Sequence, residues 1–375
     1  MNQNLVVEPV RSRRDLRRFV LLPWRIYRHD PNWVPPLIGE RMAYLTPSRN
    51  PFLHDAEMDL FLARRAGRVV GSIGVILDAQ GRSEGVARFG FFEVEEDYAA
   101  AAALLDRARR WAKEHGASWL RGPANFSEWE CPGVLVEGTD CPPVMLAAHT
   151  PLYYREFLER YGMASYQDMF AWRAFREQIG EGLEHVPDIL AHVAQVAEQH
   201  HVVVRKLRFD HWTEDVDTAC YLFNATLQHL PKFVPISQED FRHFAEQVRP
   251  LLDPDLALFA EVDGKVVGFC VSWPDFNRVL IHLNGRLWPL GWVKLFWYMR
   301  RIDVLTFKLM GLLPEYRLRG IDALLFLSSL RAMMAKGYRW LDGSLTSEYN
   351  AAVNQLAARF GAERYKHYRL YQMAV

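Results

Sequence analysis

Asp303-Val-Leu-Thr-Phe-Lys-Leu-Met-Gly-Leu-Leu-Pro314, then Glu315-Tyr-Arg317-Leu-Arg319-Gly320-Ile-Asp322, then Ala323-Leu-Leu-Phe-Leu-Ser-Ser-Leu-Arg-Ala-Met-Met-Ala-Lys-Gly337 follow one another without a break. The first piece is a short apolar run with β-branched and aromatic members, stopped by a proline, which predicts a strand. The last is rich in Ala, Leu and Met and ends at Gly337, which predicts a helix. Between them lies a basic turn with a glycine. The N–H groups that open a helix lack intrahelical partners and carry partial positive charge, so this turn suits an anion, and Arg317 and Arg319 add to it.

Working outward, the segments around this strand-turn-helix repeat an order found earlier in the chain. Residues 5–10 predict a strand and Ser12 the cap of a helix carrying Arg13, Arg14, Arg17 and Arg18. Met58–Ala63 and Arg68–Leu77 predict a hairpin through Ala66-Gly67, and Ala87–Val94 a further strand. A helix over Asp97–His115, a strand over Trp119–Pro123, a helix over Pro151–Tyr161 and a strand over Tyr166–Phe175 complete this half. In the second half, Val202–Leu207 predicts a strand and Val216–Leu230 and Gln238–Val248 predict helices. Leu256–Val262 and Lys265–Trp273 pair across Asp263-Gly264, a strong hairpin signal. The opening stretch comes next, then a strand over Tyr338–Asp342, a helix over Asn350–Phe360 and a strand over Glu363–Met373. Two domains follow, 1–178 and 188–375, which share element order more than residues.

Pro314-Glu-Tyr-Arg317-Leu-Arg319-Gly320-Ile321 resembles the acyl-CoA pyrophosphate loop of the GNAT acyltransferase superfamily. The resemblance implies an α/β (α+β) fold of two tandem GNAT-like domains, each a mixed, mostly antiparallel sheet flanked by helices. It implies acyl-CoA or acetyl-CoA as co-substrate, with Arg317, Leu318, Arg319, Gly320 and Ile321 facing the diphosphate. Leu312 and Leu313 would offer main-chain groups to the pantetheine and thioester, and Asn350 and Asn354 would lie along the pantetheine arm. Two positions depart from the pattern. Asp322 stands where a small residue is expected and sets a carboxylate against an anionic ligand, at a cost of roughly 1 to 4 kcal/mol for charges about 4 Å apart. Ala357 stands where a general-acid tyrosine is common, which leaves Tyr349, Tyr365, Tyr368 or a water for that role. In the first half the corresponding segment, Phe92-Glu-Val-Glu-Glu-Asp-Tyr98, has four carboxylates and no glycine, so it is read as lacking the pyrophosphate loop. With Asp30-Pro-Asn-Trp-Val-Pro-Pro36, Phe89-Gly-Phe-Phe-Glu93 and Arg121-Gly-Pro-Ala-Asn-Phe126, the whole chain resembles a bacterial double-GNAT group, members of which look connected with acylation of sphingoid amines.

Acyl transfer to an amine requires a route for the amine proton. Glu348, Asp342 and His282 are the candidate catalytic groups; each also has an ordinary structural reading. The segment Asn284–Arg301 is apolar on most of its circumference, aromatic-rich and basic at its ends. Such a segment is buried, lies at a membrane interface through residues 286–301, or walls an apolar channel. The last two favour a lipid amine acceptor.

Composition bounds the alternatives. The 375 residues carry 45 basic and 45 acidic side chains, and zero net charge argues against a nucleic-acid partner. It also argues against aminoacyl transfer from charged tRNA. The four cysteines are scattered and His200-His201 is adjacent rather than spaced for chelation, so no metal is expected and the thiols are read as reduced. No leader pattern opens the chain and no apolar run is long enough to span a bilayer, which points to the cytoplasm with peripheral contact at the inner membrane face. The rival to an N-acyltransferase is a non-catalytic acyl-CoA-binding or lipid-sensing module.

Overall fold

A computed structural model describes residues 5–375, except 51, 52, 54, 127–129, 231, 232 and 234. Met1–Asn4, the start of the stretch read for a leader, lie outside the described residues. The strands are β1 Leu5–Pro9, β2 Glu57–Arg65, β3 Arg68–Leu77, β4 Val86–Val94, β5 Trp119–Gly122, β6 Val134–Glu137, β7 Ala164–Phe175, β8 Val202–Lys206, β9 Ala257–Val262, β10 Lys265–Pro274, β11 Val304–Leu312, β12 Trp340–Ser347 and β13 Glu363–Ala374. The helices are α1 Arg13–Leu21, α2 Pro23–Ile26, α3 Ile38–Tyr44, α4 Ala79–Glu84, α5 Tyr98–Glu114, α6 Tyr153–Tyr161 and α7 Arg176–Ile179. They continue with α8 Asp188–Gln199, α9 Trp212–Leu227, α10 Gln238–Val248, α11 Asn277–Leu283, α12 Gly291–Met299, α13 Ile321–Ala335 and α14 Ala351–Arg359. Two compact units form: Met1–Met169 with Phe276–Arg300 and Lys366–Val375, and Phe170–Asp275 with Arg301–Tyr365. The first unit thus takes in residues 276–300 and the last ten residues of the chain.

In the first unit the strand order is β1-β2-β3-β4-β5-β13, with β6 also on β13. Ala66-Gly67 turns β2 into β3 with both residues at positive φ, the mirror-image turn that matches strand twist. Asp97 opens α5 by accepting from the Ala100 amide, and Leu104, Leu105, Ala108 and Trp111 on its inner face are buried with Ile73, Val75 and Phe89 of the sheet. β4 and β5 run parallel for three residue pairs, Val86–Trp119, Ala87–Leu120 and Arg88–Arg121. Beyond them the chain from Pro123 to Phe126 continues alongside β4, where the Ala124 amide donates to Phe89 O at 2.8 Å and the Phe91 amide to Asn125 Oδ1 at 3.1 Å. A Cβ on Gly90 would fall 1.9 Å from Ala124 O, so only glycine permits this approach.

The second unit has the order β8-β9-β10-β11-β12. Asp263-Gly264 makes the β9–β10 turn, again with two positive φ values. α13 is buried along most of its length through Ile321, Leu324, Leu325, Leu327, Leu330 and Met333, packing on α8 and on the sheet, while α9 packs on β10 and β11 and α10 packs on α9. Gln238–Val248 forms over the residues the sequence predicts, capped by Ser237. α9 starts at Trp212, before the expected Val216, and β12 extends past Asp342 to Ser347.

The Asn284–Arg301 segment is not a single buried helix. It begins at Asn284, the residue that caps the end of the short helix α11, and continues through a loop into α12, in which only Gly291 is buried. No helix among the described residues is long and apolar enough to cross a membrane.

Candidate active site

β11 and β12 also run parallel for only three pairs, Val304–Trp340, Leu305–Leu341 and Thr306–Asp342, although both continue for several residues more. Past Asp342 their edges part. On its other side β11 has a bulge: Val271 faces Leu309 and Ser272 faces Phe307, leaving Lys308 as the extra residue. A bulge re-aims its side chain. Lys308 Nζ reaches Ser344 O at 3.2 Å and stands 3.9 Å from Asp342 Oδ2.

Asp342 is fully buried. Its Oδ1 accepts from Tyr365 Oη at 2.7 Å and from the Ser344 hydroxyl, and its Oδ2 accepts from the Ser344 amide at 3.1 Å. Burial pushes its carboxyl above the usual carboxylate range, against the opposing pull of Lys308 and these donors. Glu348 is exposed, one residue beyond β12.

The turn from β11 into α13 runs through Pro314–Tyr316. Leu318 is fully exposed with φ +61°, and Gly320 has φ +77° just before the helix. The amides of residues 318–323 meet no acceptor among the described residues. Gly320 serves a second purpose, since a Cβ there would lie 2.0 Å from Val193 O on α8. Arg317 donates to Thr226 O at 2.6 Å and lies 3.4 Å from His229 Nδ1, at the C-terminal end of α9. Arg319 stacks over the Tyr316 ring at 5.0 Å and is otherwise exposed.

Comparison with known proteins places this geometry. No protein-family model matches the chain. It is 33% identical over 386 aligned positions to a protein of Caulobacter vibrioides named bacterial ceramide synthase, covering 100% of this chain and 98% of that one. The chain belongs to the bacterial tandem GNAT acyltransferases. Protein YghO of Escherichia coli is 32% identical over 97% of this chain and 94% of its own. Among solved structures, a tandem GNAT protein from the clavulanic acid biosynthesis pathway superposes with a TM-score of 0.60 at 15% identity, covering 99% of this chain and 98% of that one, and so shares the fold. The expected fold, two GNAT-like halves in tandem, is borne out.

Within this tandem GNAT protein the expected site residues have distinct surroundings. Leu312 does not present free main-chain groups: its amide donates to Thr226 Oγ1 at 2.7 Å, and that hydroxyl donates back to Leu312 O at 3.0 Å. The Leu313 amide donates to Val267 O at 2.9 Å. Ile321 is buried. Asn350 caps α14 by accepting from the Val353 amide. Asn354 accepts from Thr346 Oγ1 at 2.6 Å and Trp172 Nε1 at 3.1 Å, and donates to Ser347 O at 2.9 Å. Asp342 and Tyr365 come together, whereas His282 belongs to the first unit, where it stacks on Tyr298 at 3.8 Å and burial holds its pKa below the usual value.

Lys308, Thr226 and Val193 escape a reading of the sequence. Lys308 alone carries a signal, as a charged residue inside the apolar run Val304–Leu312.

In the first unit the corresponding acids are engaged. Glu93 is half-buried and accepts from Tyr27 and Tyr154 at 2.9 and 2.8 Å; Glu95 pairs with Arg25 and Arg68, and Asp97 with Arg65. Burial lifts the Glu93 carboxyl to about 7.

Proposed function

We propose that the chain transfers an acyl group from a CoA thioester to the amine of a lipid, a sphingoid base being the first candidate. The observation that carries this reading is the parting of β11 from β12 beside a turn whose six successive amides meet no acceptor among the described residues. The thioester arm would lie between the strands and the diphosphate on the amides of Leu318–Ala323, with Arg319 free to approach it. The amine nitrogen attacks the thioester carbonyl, the C–N bond forms and the C–S bond breaks. Coenzyme A leaves as a thiolate, which takes its proton from water. Asp342 accepts the amine proton through Tyr365, a role suited to a carboxylate whose affinity for protons is raised by burial. Glu348, exposed beyond β12, would receive the incoming ammonium; His282 has no step in this scheme.

An apolar cavity of about 50 Å³ in the second unit, room for the first methylenes of a chain, favours an acyl group longer than acetyl. It lies between α9, α10 and the sheet, bordered by Ala219, Ala245, Phe269, Val271 and Leu309, the last next to Lys308. The closed space beside β4 in the first unit supports one donor site rather than two, with the halves 1–178 and 188–375 having different duties. The name of the Caulobacter relative supports a sphingoid acceptor, which the chain would meet at the cytoplasmic face of a bilayer through residues 286–301.

The test offers purified protein acetyl-CoA and palmitoyl-CoA, each with a sphingoid amine and with a polar amine, and follows free thiol and N-acyl product. Thiol release that requires the lipid amine and favours palmitoyl-CoA is expected. Transfer confined to acetyl-CoA and the polar amine would overturn the reading. A non-catalytic acyl-CoA binder is the second reading, favoured by the hold of Thr226 on Leu312; thermal stabilisation by CoA without turnover would support it.

A further inference from the structure

We infer that residues 286–301 form an anchor that seats the chain on a lipid surface bearing anionic headgroups. This deepens the lipid-acceptor reading by naming the surface from which the acceptor is drawn, and it rests on that reading only for its purpose.

Trp288 is 82% exposed, and Trp292, Phe296 and Trp297 are each more than half exposed. Leu287, Leu290 and Val293 extend the same patch. On α12 the positions 292, 293, 296 and 297 fall on one helical face, while Gly291, Leu295 and Tyr298 are the less exposed side, where Tyr298 stacks on His282. Such a concentration of large apolar side chains on a monomer's surface marks a place of contact. The choice of aromatics is particular: indole rings settle at the headgroup level of a bilayer, where one edge is apolar and the other wet.

Charge selects the occupant. Residues 284–302 contain Arg286, Lys294, Arg300 and Arg301 and no Asp or Glu, in a chain whose total charge is zero. Arg286, Lys294 and Arg300 pair with no carboxylate among the described residues. A second copy of the chain is a poor occupant, because a two-fold contact would set this basic patch against itself. A bilayer with anionic lipid satisfies both parts of the patch, and α12 at nine residues is far too short to cross it.

The full-length protein is sedimented with vesicles of phosphatidylcholine alone and of phosphatidylcholine mixed with phosphatidylglycerol. Partitioning on the order of tenfold or more stronger to the mixed vesicles is expected, falling as salt is raised. Trp292→Glu with Phe296→Glu should abolish it, and Lys294→Glu with Arg300→Glu should remove the preference for the anionic vesicles, each variant retaining the circular dichroism spectrum of the parent. Folded parent protein that binds neither vesicle overturns the inference, as does equal binding to both. A mass doubled in solution and restored to one chain by the Trp292 and Phe296 changes, without vesicle binding, would also overturn it in favour of a dimer. Acyl transfer assayed in detergent reports separately on the proposed reaction.

Discussion

Tyr365 donates its hydroxyl to Asp342 Oδ1 at 2.7 Å while Lys308 stands 3.9 Å from the other oxygen of the same buried carboxylate. The lysine comes from a bulge in β11 and the acid from β12, at the last residue pair before the two strands part. Asp342→Asn preserves shape and removes the charge. In the proposed reaction it should lower kcat by roughly a hundred to ten thousand fold with little change in KM. It also removes the carboxylate charge that faces the Lys308 ammonium, at a cost on the order of 3 kcal/mol. Asp342→Asn combined with Lys308→Met should recover stability in urea titration and not activity. Recovery of both would make the pair structural only.

The Glu93 carboxyl gives a pH-dependent prediction. Its value rises from 4.5 to about 7 in the folded protein. A carboxyl that holds its proton more tightly when folded contributes stability fully below its unfolded pKa, and that stability is lost as pH rises through about 7. At 1.36 kcal/mol per pH unit the shift corresponds to something on the order of 3 kcal/mol. Glu93→Gln keeps an acceptor for Tyr27 and Tyr154 and cannot ionise. It should be more stable than the parent in urea unfolding above pH 7, with the difference shrinking towards acid. Parallel stability curves across that range would contradict the assignment.

The parts of the fold that sequence discloses are those fixed by local chemistry. The turns at Ala66-Gly67 and Asp263-Gly264 require positive φ, which their glycines accept without cost and so announce the hairpins, and Ser237 announces the start of α10. β6 is silent because its four residues are stabilised by pairing with β13, more than two hundred positions away. α8 lacks a side-chain cap and follows a proline, so no local signal marks its start. At the site, the basic turn and its glycine are legible, whereas the duty of Gly320 towards Val193 and the aim of Lys308 arise only when distant elements pack. The exposure of α12 is likewise a tertiary fact, since its apolar composition suits a core equally well.

Chain-length preference should respond to the cavity between α9 and α10. Ala245→Leu adds methylenes where Ala245 borders it, opposite Val271 and Leu309 of the strands beside Lys308. Turnover with palmitoyl-CoA should fall by roughly tenfold or more relative to acetyl-CoA, since each displaced methylene forfeits about 0.8 kcal/mol of burial. Unfolding should show a change no larger than about 1 to 3 kcal/mol. An unaltered ratio of the two activities would place the acyl chain elsewhere.

In the proposed acyl-CoA site, Thr226 occupies the main-chain groups of Leu312 that a pantetheine amide would use. Its hydroxyl both accepts from the Leu312 amide and donates to the Leu312 carbonyl, the same two groups that the acyl-CoA reading offers to the ligand. Binding must therefore exchange one set of hydrogen bonds for another. Thr226→Ala leaves the Leu312 groups unmet in the free protein, with a loss of about 1 to 3 kcal/mol in stability. Ligand would then restore bonds rather than replace them, so CoA should raise the melting temperature of Thr226→Ala by more than it raises that of the parent. Thr226→Ser keeps the hydroxyl and should behave as the parent. If CoA stabilises the parent and the alanine variant equally, the arm does not engage Leu312, and the strand edge beyond Asp342 must be approached from another side.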